Sequence, residues 1–122
     1  MAYPSNRPLN VIRVHCHMAD VSAAGSAFAI SPCRGKIIKM GSVTHAAITS
    51  ADSAITSKIA GTAITGGAWT IGYSGAAAGD VDTAVPTAAF QVNEDDNIEF
   101  ITDGASLTTC PTTFFADIRV GG

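Results

Sequence analysis

Charge is scarce in this chain: seven Lys and Arg and ten Asp and Glu make up only 14% of its 122 residues. A nucleic-acid binder needs a clustered cationic face to displace phosphate counterions, and a net charge of −3 argues against one. Long apolar runs are missing too. Thr, Ser, Gly or a charge interrupts every apolar stretch within a few residues, so no membrane span is expected. The opening MAYPSNRPLN has no apolar centre, so no secretion signal is expected either. The cysteines, Cys16, Cys33 and Cys110, are odd in number and widely spaced. That pattern suits neither a disulfide framework nor a zinc site built on C-x-x-C pairs, and buried thiols are expected. No Gly-x-Ser-x-Gly occurs, and no glycine-rich loop runs on to Lys-Ser or Lys-Thr. An enzyme would have to work here without a nucleophile or a phosphate cradle. No enzyme, cofactor or small-molecule substrate is expected.

Leucine is almost absent, with only Leu9 and Leu107, whereas Ile, Val and Thr are abundant. β-Branched side chains lose rotamer freedom in a helix and suit a pleated surface, so the chain reads as strands throughout. Pro4 and Pro8 make residues 1–8 an extended N-terminal arm, and residues 9–122 form one β domain. Between residues 9 and 18, Ile12, Val14, Cys16 and Met18 alternate with Arg13, His15 and His17. Further strands are expected at 27–30, 36–44 (with Ile38 and Met40 inward), 54–60, 62–65, 68–73, 88–92, 97–102, 106–110 and 112–120. Gly66-Gly67 reads as a hairpin turn. Residues 74–87 read as a long loop of Gly, Ala and Asp, of the kind that packs on a partner. Strands at this spacing, joined by turn signals, predict an antiparallel β-sandwich, jelly-roll-like, with at most one short helix. Its core is expected to hold Ile12, Val14, Ile38, Ile98, Phe100, Phe114 and Ile118.

Each chemical group has a plainer reading beside it. His15 and His17, two apart on one strand face, have the spacing of a metal pair, but no third ligand is fixed nearby and an exposed polar face is favoured. Asp80, Asp82, Glu94, Asp95 and Asp96 lack the spacing of a calcium loop and read as solvated turns. Cys16 falls on the apolar face, away from its histidine neighbours. Trp69 and Tyr73 flank Ile71 on one strand and belong to the core, or else form a sugar-stacking platform; a lectin-like module is therefore the alternative of a different class.

The run GKIIKMGSVTHAAITSADSAITSKIAGTAITGGAWTIGYSGAAAGDVDTAVPTAAFQVNEDDNIEFITDG, residues 35–104, resembles a group of small tailed-phage virion proteins. The shared layout is a Gly-led strand, an AIT-AD-AIT stretch, a GT-IT-G hairpin, an SG-AAGDVD---PT loop and a V---D-IEF-TDG hairpin. The resemblance implies a decoration (cement) protein of jelly-roll-like fold. It would act as a homotrimer on the outer surface of the capsid, with the major capsid protein as its partner; a head-fibre or tail-associated role is the nearest variant. Tyr3 and Arg7 in the arm, residue types enriched at interface hot spots, are the expected contacts to the capsid or to a neighbouring subunit.

Overall fold

The computed structural model describes residues 10–121. Ten strands and no helix form among them. They are β1 (Val11–Met18), β2 (Gly25–Ile30), β3 (Gly35–Thr44), β4 (Ser53–Ile59), β5 (Thr62–Ala63), β6 (Trp69–Ile71), β7 (Val81–Ala84), β8 (Gln91–Val92), β9 (Asn97–Thr102) and β10 (Thr112–Val120). Two antiparallel sheets result. The first runs β1-β10-β3-β7, with β8 also on β3; the second runs β2-β9-β4-β5, with β6 also on β4.

The pairing shows how the chain is wound. β7 and β8 meet opposite halves of β3, and β5 and β6 meet opposite halves of β4, so each pair is one interrupted strand. Counted that way, β1 pairs with β10, β2 with β9, β3 with β7/β8 and β4 with β5/β6, like one long hairpin. Rolling that hairpin brings β10 beside β3 and β9 beside β4. This is the jelly-roll winding. The two interruptions are stitched together by a bridge between Thr65 and Ala88.

Alternation places one face of each sheet in the core. Phe114 from the first sheet stacks on Phe100 from the second, with ring centroids 5.1 Å apart, and Trp69 meets both rings edgewise or tilted. Hydroxyls inside the sandwich are all paired. Trp69 Nε1 donates to Ser42 Oγ across the sheets at 2.9 Å, Ser53 and Ser106 bond at 2.6 Å, and Ser57 Oγ donates to the Gly67 carbonyl. Among the described residues no buried side-chain nitrogen or oxygen lacks a partner. Such groups cost little in the interior only when satisfied.

Several expectations shift in detail. Ile98, Phe100, Phe114 and Ile118 are fully buried, whereas Ile12 and Val14 are only partly covered, because β1 is an edge strand. Ile38 is not the core residue; Ile37 is. Ile118 pairs with Ile37 and Asp117 with Lys39, so Ile38 is the extra residue of a β-bulge and turns away from the core. The 74–87 loop contains β7, hidden from a pattern reading because its Val81 and Thr83 both face outward. Residues 106–110 form no strand beyond a bridge from Leu107 to Thr49. The tight hairpin turn is Ala60-Gly61, both at positive φ, and not Gly66-Gly67. Gly67 is instead a close-packing position, where a Cβ would meet Ser57 and Ile64. Of the thiols only Cys110 is fully buried; Cys16 and Cys33 are half-buried.

Candidate functional site

Strand register gives the sandwich two unlike ends. Loops 19–24, 45–52, 72–80 and 103–111 gather at one, the loop end. The short turns 31–34, 60–61 and 93–96 lie at the other, the turn end, together with Asn10 and Val120.

The loop end is acidic and internally tied. Asp20 Oδ1 accepts from the Ser22 amide, the Ser22 hydroxyl and the Cys110 amide at 2.6–3.1 Å, joining loops 19–24 and 103–111. Those three donors, the Ser22 hydroxyl foremost, hold its carboxyl below the usual aspartate value. Asp52 Oδ1 accepts from the Tyr73 amide, Asp80 from the Ala77 amide, and Asp103 from the Ala54 and Ala105 amides. Asp82 beside them is shifted the other way, by burial and then by the charge on Asp80. No Lys or Arg among the described residues lies in these loops. Leu107, 59% exposed, and Tyr73, 47% exposed, stand out from a surface of Ala, Gly, Ser and Thr. The loop acids are backbone staples.

The outer face of the first sheet is basic. Arg13 forms a bidentate pair with Asp117 at 2.6 and 3.0 Å, while its guanidinium covers the Phe115 ring at 4.2 Å. Phe115 points outward and is still only 9% exposed, because the missing side chain of Gly41 leaves room for its ring. His15 and His17 lie on this face, as the alternation implied, and both are exposed. His17 comes within 5.9 Å of His45, whose Nε2 pairs with Thr113 Oγ1 at 2.9 Å. Among the described residues no group of three or more His, Cys, Asp or Glu is placed to hold a metal.

The outer face of the second sheet is nearly neutral. Phe28 and Ile30, each 55% exposed, sit on β2 beside Glu99, which accepts from Ser26 Oγ at 2.6 Å. Among the described residues no cation covers Phe28 as Arg13 covers Phe115. This uncovered pair was missed in the sequence, where Phe28 and Ile30 passed as part of an apolar strand.

Trp69 is 8% exposed and Tyr73 lies beyond the end of β6, so the two share no aromatic platform. Tyr73 leaves the core because Gly72 ends the strand before it. The expected contacts Tyr3 and Arg7 lie outside the described residues.

No protein family and no curated protein matches the chain. A chain of the cyanophage Pam1 capsid asymmetric unit matches in structure, with a TM-score of 0.54 and 10% sequence identity. The match covers 99% of this chain and 93% of that one. At that identity the likeness is one of fold.

Proposed function

We propose that this chain is a structural protein of a phage virion, a decoration protein that binds the outer surface of the head and stabilises the shell against internal DNA pressure. One observation carries the reading: the sandwich matches, almost end to end in both chains, a chain of a phage capsid asymmetric unit. The resemblance of residues 35–104 to phage head proteins supports it independently. The major capsid protein is the partner, and the working form is a homotrimer. Three equivalent contacts on one shell sum to strong avidity, because the second and third form intramolecularly. Whatever free energy the bound trimer loses on release is gained by the shell.

The loop end is the surface we assign to the shell. It lacks the flexible Lys and Arg side chains whose ordering opposes association, and its loops are already tied by aspartates, so docking orders little. Tyr73 and Leu107 supply apolar anchors. Purified protein is expected to co-sediment with intact capsids and to raise their resistance to heat. Leu107→Asp is expected to weaken retention at least about tenfold, the effect of about 1.4 kcal/mol, with the melting temperature of the free protein unchanged. Capsids that neither bind the protein nor gain heat resistance from it would remove the reading.

A further inference from the structure

We infer that the free edge of β2 receives the N-terminal arm of a neighbouring copy, added antiparallel through Tyr3, Ser5 and Arg7; this rests on the homotrimer proposed above. A sandwich of two open sheets has four edges, and an unprotected edge invites another strand. The edges formed by β5/β6 and β7/β8 are tied to each other through Thr65 and Ala88. The β1 edge carries Arg13, His15 and His17. β2, with the sequence GSAFAI, carries no charge and no proline, and it leaves Phe28 and Ile30 uncovered.

Backbone parity identifies the free groups. The Asn97 carbonyl accepts from Ala60 and the Asp103 amide donates to Ala54, so Asn97, Glu99 and Ile101 bond toward β4. Ile98, Phe100 and Thr102 therefore bond toward β2, where they meet Ala29, Ala27 and Gly25. Ser26, Phe28 and Ile30 direct their N–H and C=O groups at the edge that no described strand covers.

The arm's sequence fits that edge. Pro4 and Pro8 are both even-numbered, so in an extended chain their missing N–H groups fall on one side, and the donors of Tyr3, Ser5 and Arg7 fall on the other. Proline is tolerated on an outermost strand in just this orientation, and it stops a further strand from joining. Tyr3 and Arg7 each precede a proline, which favours extended backbone. With Tyr3 opposite Ile30, Ser5 opposite Phe28 and Arg7 opposite Ser26, directly paired residues share the outer face. Arg7, the arm's one cationic side chain, then lies one residue pair from Glu99, the acid that Ser26 already contacts.

Reach decides whose arm it is. Asn10 is held at the turn end, where its carbonyl accepts from the Val120 amide at 2.7 Å. Ser26 lies about 13 Å up β2 from Ile30, in the facing sheet about 10 Å away. Arg7 to Asn10 spans about 10 Å at full stretch, too little for a chain's own arm to pair antiparallel. Parallel pairing within one chain would set Tyr3 opposite Gly25 and Arg7 opposite Ala29, turning the guanidinium toward the sandwich interior. A neighbour's arm has neither obstacle.

The test compares the full chain, a chain lacking residues 1–8, and Phe28→Pro, which removes an edge donor but no bond within the sheet. Emission from Trp69, the single tryptophan, confirms that each is folded. The full chain is expected to sediment as a trimer. Its Ser26, Phe28 and Ile30 amides should exchange at least about tenfold more slowly than in the truncated chain. Both variants should sediment as monomers. A truncated chain that stays trimeric with the same protected amides overturns the proposal. So does a full-length monomer with protected amides, which would mean pairing with its own arm, and so does a trimer lost on truncation with those amides unchanged. A chain that behaves as expected in solution yet ignores capsids refutes the virion reading and leaves this one standing.

Discussion

The hydrogen bond between Trp69 and Ser42 crosses from the second sheet to the first, and it offers the sharpest test of how the sandwich is held together. Ser42 is fully buried and Trp69 is 8% exposed, so neither group can turn to water if its partner is removed. Trp69→Phe keeps an aromatic ring against Phe100 and Phe114 but strands the Ser42 hydroxyl. The unsatisfied group costs about 1–3 kcal/mol, and the space left by the smaller ring about 1–2 kcal/mol more. Ser42→Ala strands the indole N–H instead, at a similar cost of about 1–3 kcal/mol. The double variant strands nothing and carries only the packing loss. The two single losses should therefore exceed the double loss by at least about 2 kcal/mol in a double-mutant cycle. For a chain of this size each single change should lower the melting temperature by roughly 5–15 °C. Urea unfolding followed by far-ultraviolet circular dichroism measures all four proteins without needing the tryptophan. Losses that add to within about 0.3 kcal/mol would show that the bond couples nothing, and the reasoning would fail.

Two further outcomes follow from the titratable groups. Asp20 is held below the usual aspartate value in the folded chain, so its contribution is present above about pH 4, where the unfolded chain's aspartates are ionised. It is lost as the pH falls through the depressed folded value, and the melting temperatures of the wild type and Asp20→Asn should converge there; a gap that stays constant down to pH 2 would refute this. Burial pushes the Cys16 thiol up to about 11, so at pH 7.5 it is protonated and should react with iodoacetamide at least about tenfold more slowly than in urea. Mass spectrometry of the alkylated peptide reads the rate, and equal labelling in both states would contradict the burial of β1's inner face.

What could be read from the residues was the type of structure and much of its core. The β-branched composition predicted strands, and the alternation along β1, β9 and β10 placed Arg13, His15 and His17 outward and Phe100, Phe114 and Ile118 inward. The failures share a cause. Ile38 was placed inward by counting alternate residues, and one bulge residue reverses that count without leaving a mark in the sequence. β7 escaped notice because its stability comes from hydrogen bonds to β3 and not from an apolar stripe of its own. The acids of the 74–87 region looked like candidate ligands or solvated turns, yet Asp80 works as a backbone acceptor within the loop. The uncovered Phe28 and Ile30 were invisible for a different reason. Which strand lies at an edge depends on topology, and a six-residue apolar segment reads the same whether its flank is covered or open.

The edge and the loop end, taken together, constrain how copies can be arranged. An arm that pairs antiparallel with β2 brings its own turn end within about 10 Å of Ser26, since only three residue steps separate Arg7 from Asn10. The turn end of one copy then rests against the β2 flank of the next. That contact is heterologous, joining two different surfaces, and such contacts either close into a ring or grow into a filament. Closure at three copies gives the proposed trimer. It also engages only the turn end and one flank of each sandwich, so loops 45–52 and 72–80, with the exposed Tyr73, stay free on every copy. The part of the shell-facing surface formed by loops 45–52 and 72–80, with Leu107 bridged to Thr49, is thus left open by assembly. A Leu107→Asp chain should therefore remain trimeric in solution while losing its hold on capsids, and a monomeric Leu107→Asp chain would show that the loop end belongs to the ring.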